Sequence, residues 1–128
     1  LQEPVARNEQ ARLHQVQTLF GRTGAVSLIK GHGTLVYAGE ETWQNTTGGA
    51  ALAKAGSGDV LCGLIAGLWA QLGMANGFDT QSAFQAALCG VYLHGLCGDL
   101  AAKELTDTCV LAGELLNFLP AAIKKTIK

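Results

Sequence analysis

Proline occurs only twice in this chain of 128 residues, and aromatic side chains make up 6% of it. An excess of one charge is also missing, with nine Lys and Arg against ten Asp and Glu for a net charge of -1. Nucleic-acid affinity leans on clustered basic side chains, so no nucleic-acid partner is expected. The longest apolar run, Val60 to Ala70, falls well short of the ~20 residues that cross a bilayer, and no membrane partner is expected. Cys62, Cys89, Cys97 and Cys109 form no Cys-x-x-Cys pair, and none stands beside a His at a zinc spacing. They read as buried small thiols in a reducing, cytoplasmic compartment. The first residues, Leu1-Gln2-Glu3-Pro4, show no basic-then-apolar leader pattern.

What is present is apolar material (48% of residues) and 17 glycines. Disorder requires low hydrophobicity and high net charge, and this chain has neither. Its length suits one domain. Residues 6–20 carry Leu13, Val16 and Phe20 on one helical face, with Gly21 and Gly24 as the stop. Ala25–Ile29 reads as a buried strand, Leu35–Ala38 as a second and Thr42–Gln44 as a third, the last two joined at Gly39-Glu40. Asn45–Ala51 reads as loop. A helix is expected from about Asp59 to Leu72, where Gly63, Ala66, Gly67 and Ala70 make a small-residue face for close approach to a neighbouring backbone. Thr80 is a candidate N-cap for a helix over 81–103, and a last helix spans Val110–Ile127 with Pro120 dividing it. Helix, strands, then three helices imply an α/β or α+β fold with helices packed on a sheet.

Two stretches suit chemistry. Gly56-Ser57-Gly58-Asp59 opens the apolar helix, where unpaired N–H groups and the helix dipole favour a phosphate or an oxyanion. A carboxylate there repels phosphate, but it makes sense if it takes a hydroxyl proton while the amides hold a phosphoryl group. That would make Asp59 a base in phosphoryl transfer. An ordinary capping turn fits the same four residues. Lys30-Gly31-His32-Gly33-Thr34 follows the first strand, where glycines let a ligand approach the backbone and Lys30 and Thr34 offer charge and a hydroxyl to a nucleotide. A plain hairpin bend with a solvated Lys30 fits as well. His32 and His94 are each isolated from other ligand types, His14 reads as solvated, and Trp43 and Trp69 as core or interface. Lys124, Lys125 and Lys128 suit a helix C-terminus.

Several motifs stand together in order. They are Lys30-Gly31 with Thr34, Asn45-Thr46-Thr47-Gly48, Leu52 through Leu61, Gly63 through Leu68, and Val91-Tyr92-Leu93-His94-Gly95 followed by Gly98-Asp99. This set, over roughly residues 22–122, resembles the ADP/ATP-dependent (S)-NAD(P)H-hydrate dehydratases, the YjeF carboxy-terminal-domain family of the ribokinase-like superfamily. The resemblance implies a three-layer α/β fold with helices on both faces of a sheet, of which residues 1–128 are the carboxy-terminal portion. It implies a lyase that uses ADP or ATP, with Mg2+, to restore NADH or NADPH from the hydrate in which the nicotinamide ring has gained water. By the match, Lys30, Gly31, His32, Gly33, Thr34, Gly56, Ser57 and Gly58 bind the nucleotide, and Asp59 contacts the hydrate and acts as base. A small-molecule kinase of the same superfamily, or a truncated nucleotide-binding domain without activity, shares the glycine loop. This chain departs from the family in Gly49-Ala50, where Asn-Pro is usual, and in Ala55-Gly56, where Gly-Gly is usual; a left-handed backbone at Ala55 would be strained. The family domain is also longer. A homo-oligomer, or association with the missing amino-terminal half, is therefore expected.

Overall fold

A computed structural model describes residues 8–127. The first two positions of the helix expected over 6–20, and Lys128, lie outside the described residues. The helix itself, α1 (Glu9–Thr23), is capped by Asn8, whose side chain accepts from the Ala11 N–H at 2.8 Å. Gly21 lies inside it, and the stop falls at Gly24, whose N–H donates to the Phe20 carbonyl.

Three strands follow, β1 (Ser27–Ile29), β2 (Leu35–Ala38) and β3 (Glu41–Gln44), forming one antiparallel sheet in the order β1-β2-β3. The register aligns Leu28, Val36 and Trp43. Alternation along β2 then splits its side chains between two faces. Tyr37 meets Phe20 of α1 edge to face, with centroids 5.4 Å apart. Val36, wholly buried, faces the other way with Leu61, Phe84, Ala87 and Val91. Helices therefore cover both faces of the sheet, as the ribokinase-like reading requires. β1 was expected to be buried, but it is half-buried at the sheet edge, because no further strand among the described residues pairs with it.

The spine is α3 (Thr80–Leu105), which follows α2 (Ser57–Asn76). Asp79, not Thr80, caps α3, accepting from the Ser82 N–H at 2.7 Å while the Ser82 hydroxyl lies 3.1 Å from the Asp79 N–H. One side of α3 closes on the sheet. The other contributes Leu93, Cys97 and Ala101 to a second core with Val110, Leu115 and Ala122. α2 begins two residues before the expected Asp59 and runs through the expected turn at Gly73 to Asn76. At 20 residues it is long and apolar enough to cross a membrane by length and composition, which the Val60–Ala70 run alone is not. In this fold it packs along α3. The close approach comes from α3's side, where a Cβ on Gly90 would sit 2.5 Å from Ile65 Cγ1; the small face of α2 at Gly63 and Gly67 meets no described atom within 4 Å. The expected last helix divides into a 3₁₀ segment (Ala112–Phe118) and α4 (Leu119–Thr126), with Pro120 in the first turn, where its missing N–H is harmless. The expectation of buried thiols holds only for Cys97; Cys62, Cys89 and Cys109 are exposed.

Candidate functional site

The β1–β2 connection is held from three sides. Arg12 of α1 donates to the carbonyls of His32 (2.8 Å), Gly33 (3.1 Å) and Ile29 (3.2 Å). The Thr34 hydroxyl donates across the bend to the Gly31 carbonyl at 3.1 Å, and the Asn45 N–H donates to the Thr34 carbonyl at 2.9 Å. Lys30 is not a free hairpin lysine, since its Nζ donates to the Leu52 carbonyl at 3.2 Å. Lys30, Gly31, His32 and Thr34 thus line a cavity of about 320 Å³ together with the segment from Asn45 to Ala53. Gly33 belongs to an adjoining hollow of about 260 Å³ that shares His32, Asn45, Thr47 and Gly48.

The Asn45–Gly48 segment is bolted onto α3. The Thr47 hydroxyl donates to the Tyr92 carbonyl at 2.8 Å, the Asn45 side chain donates to the Val91 carbonyl at 3.4 Å, and the Gly48 N–H donates to Asp99 Oδ2 at 3.0 Å. The contact needs glycine at 95, where a Cβ would lie 2.7 Å from the Thr47 carbonyl oxygen and closer still to its hydroxyl. Two motifs about 45 residues apart are therefore one joint.

His94 on α3 also reaches this cavity and is only 4% exposed. Its Nε2 lies 2.9 Å from the Ser57 carbonyl oxygen and 3.2 Å from the Ser57 hydroxyl. Burial lowers its pKa, and the Lys30 charge acts in the same direction against the raising effect of the Ser57 carbonyl. Ser57 is wholly buried at the start of α2. The left-handed residue of this turn is Gly56 (φ 81°), not Ala55, so the extra methyl carries no strain. The Ser57 and Asp59 N–H groups donate back to the Lys54 and Gly56 carbonyls, and that of Gly58 has no backbone acceptor among the described residues. Fewer amides are thus free than the glycine count suggests.

Asp59 is exposed and opens away from this cavity, onto an apolar groove of about 620 Å³ shared with Leu64, Leu68, Leu116 and Ile123. The structure brings Lys30, Gly31, His32 and Thr34 together, sets Gly33 beside them, and holds Gly56, Ser57 and Gly58 at the α2 turn, tied in through His94. Asn45, Thr47, His94 and Arg12 carry positions at this site that the motifs alone did not assign. For Asn45, Thr47 and His94, the ordered motifs that contain them were the available signal. Arg12, on a polar helix, offered none. Among the described residues no group of three or more His, Cys, Asp or Glu could hold a metal ion, and the cavity lining contains no carboxylate.

The family described as NAD(P)H-hydrate dehydratase matches residues 1–121. The chain is 43% identical over 101 residues to a bifunctional NAD(P)H-hydrate repair enzyme of Moorella thermoacetica, covering 78% of this chain and 18% of that one. Among solved structures it is similar to the ADP/ATP-dependent NAD(P)H-hydrate dehydratase of Bacillus subtilis co-crystallised with ATP and Mg2+. That match has TM-score 0.75 and 32% identity, over 91% of this chain and 39% of that one. A ribokinase-like superfamily protein of Enterococcus faecalis superposes with TM-score 0.66 and 32% identity, over 93% and 37%. The chain therefore spans less than half the length of each of these relatives.

Proposed function

The chain belongs to the NAD(P)H-hydrate dehydratase family, and on that premise we propose that it supplies the nucleotide-binding and proton-accepting elements of an enzyme that restores NADH or NADPH from the S hydrate. In this reading residues 1–128 form the carboxy-terminal portion of a dehydratase domain that acts in the cytoplasm. The observation that carries it is the cavity that Lys30, Gly31, His32 and Thr34 build with residues between Asn45 and Ala53, two stretches separated in sequence that supply a cation, hydroxyl oxygens and backbone polar groups.

ADP or ATP supplies the phosphoryl group that turns the ring hydroxyl of the hydrate into a leaving group. Lys30 offers it positive charge, and the Gly58 N–H, which has no backbone acceptor among the described residues, is a donor at the start of α2. The Thr34 and Thr47 hydroxyls shape the wall, their hydrogens being given to the Gly31 and Tyr92 carbonyls. Asp59 takes the hydroxyl proton as the new oxygen–phosphorus bond forms and the terminal phosphoanhydride bond breaks, releasing AMP from ADP or ADP from ATP. Phosphate then leaves with the electron pair of the ring C–O bond, and the adjacent ring carbon gives up a proton to solvent as its C–H electrons form the double bond. The nucleotide is assigned to the cavity and the hydrate to the groove that Asp59 lines, with the phosphoryl group and the ring hydroxyl meeting at the first turn of α2. Among the described residues the cavity lining holds no carboxylate that would ligate a magnesium ion.

The test is recovery of NADH absorbance when the full gene product carrying this sequence is given hydrated NADH with ADP or ATP. No recovery with either nucleotide overturns the reading. Phosphorylation of a sugar or vitamin hydroxyl in place of recovery would move it to the kinase class.

A further inference from the structure

Of the groups around the cavity, His94 has a placement that neither nucleotide binding nor proton transfer explains. Filling its space with leucine would avoid burying a polar ring, which is costly unless the ring is hydrogen-bonded. The ring is nearly buried, and its partner is a backbone carbonyl 37 residues away in sequence. A carbonyl oxygen only accepts, so Nε2 carries the hydrogen and, in the neutral ring, Nδ1 carries none. The residues that precede it on α3 are gripped by Asn45 and Thr47, so the ring is anchored to the same segment that walls the cavity. Its other end holds Ser57, one residue before the Gly58 amide and two before Asp59.

We propose that His94 is a positioning residue that ties the first turn of α2 to the cavity wall, so that cavity occupancy and the aim of the Gly58 amide and Asp59 carboxylate are set together. This rests on the dehydratase reading of those two groups. Lys30 is the charged group that faces His94 across the cavity. The neutral ring is thus a fixed donor near neutral pH.

The test compares His94→Leu, His94→Asn and His94→Gln in the full gene product. Only glutamine places an N–H donor near the Nε2 position; asparagine is polar but too short. Two readouts are taken: amide hydrogen exchange of residues 54–60 against residues 84–98, with and without ADP, and the kcat and KM for hydrated NADH. Leucine and asparagine should speed exchange at residues 54–60 tenfold or more, abolish its slowing by ADP, and leave 84–98 unchanged. Their kcat should fall tenfold or more with KM nearly constant, and glutamine should recover most of both effects. Unchanged exchange at 54–60 in the asparagine variant, or equal loss across 84–98 in all three, overturns the proposal. A parent protein without turnover removes the dehydratase reading instead, and the exchange pattern still decides the role of His94.

Discussion

Asp59 stands exposed on the groove side of the first turn of α2, and no other carboxylate shares that turn. Asp59→Asn keeps its shape and its acceptor oxygen but cannot take a proton. ADP binding, followed by calorimetry, should survive, while turnover should fall by about 10²–10⁴. A residue that only caps the helix would instead lose melting temperature, affinity and rate together. Turnover within a few-fold of the parent would remove Asp59 from the chemistry. His94 adds a pH signature. In the unfolded chain its imidazole takes a proton near pH 6.5, but in the fold burial first, and then Lys30, hold its pKa lower. Between the two values the unfolded state binds more protons. Stability should therefore fall as the pH drops from about 6.5 toward the folded pKa, and this contribution should level off below it. Denaturation midpoints across that range should lose this segment in His94→Gln. A profile shared by parent and variant would assign the effect to other groups.

At the scale of elements, two joints hold the site. Arg12 closes three carbonyls of the β1–β2 connection onto α1. Hydrogen bonds to a charged donor are the stronger kind, and these are partly exposed, so Arg12→Ala should cost about 1–2 kcal/mol. It should also weaken ADP binding several-fold, because the loop it releases lines the cavity. Calorimetry showing unchanged affinity would mean that the loop holds its shape without α1. The second joint is the Asn45–Gly48 segment on α3. Gly95→Ala inserts a methyl group into the Thr47 backbone, so something must move. Overpacking of this kind costs about 1–3 kcal/mol, read as a shift of the urea midpoint at constant slope. An unshifted midpoint would show that the segment yields freely.

For the whole molecule, the distribution of apolar surface is unusual. Met74 is 80% exposed, Phe78 61% and Leu116 50%, and a Cβ added at Gly63 or Gly67 of α2 would meet nothing within 4 Å among the described residues. Exposed apolar side chains mark an interface or an aggregation hazard where they join into a patch. Among the described residues β1 also leaves a sheet edge unpaired, which invites pairing. The 128-residue chain on its own should therefore self-associate, with a melting temperature that rises with concentration, or melt weakly. Sedimentation and melting curves across a hundredfold dilution check this. A monomer with one sharp, concentration-independent melt would show that this surface needs no cover.

Helix and strand existence, the antiparallel order of β2 and β3, and the ordered motifs were legible in the residues themselves, because hydrophobic period and glycine placement act locally. Strand ends moved by two residues at most and helix ends by up to four, where caps such as Asn8 and Asp79 chose among neighbouring polar side chains. Only the tertiary structure decided that Lys30–Thr34 and Asn45–Gly48 share one cavity, that Asp59 faces another opening, and that His94 joins them. Those facts depend on contacts between residues 20 to 50 apart, such as Arg12 with His32 and Thr47 with Tyr92. Such pairings follow from how layers pack, and packing couples positions that no local periodicity connects.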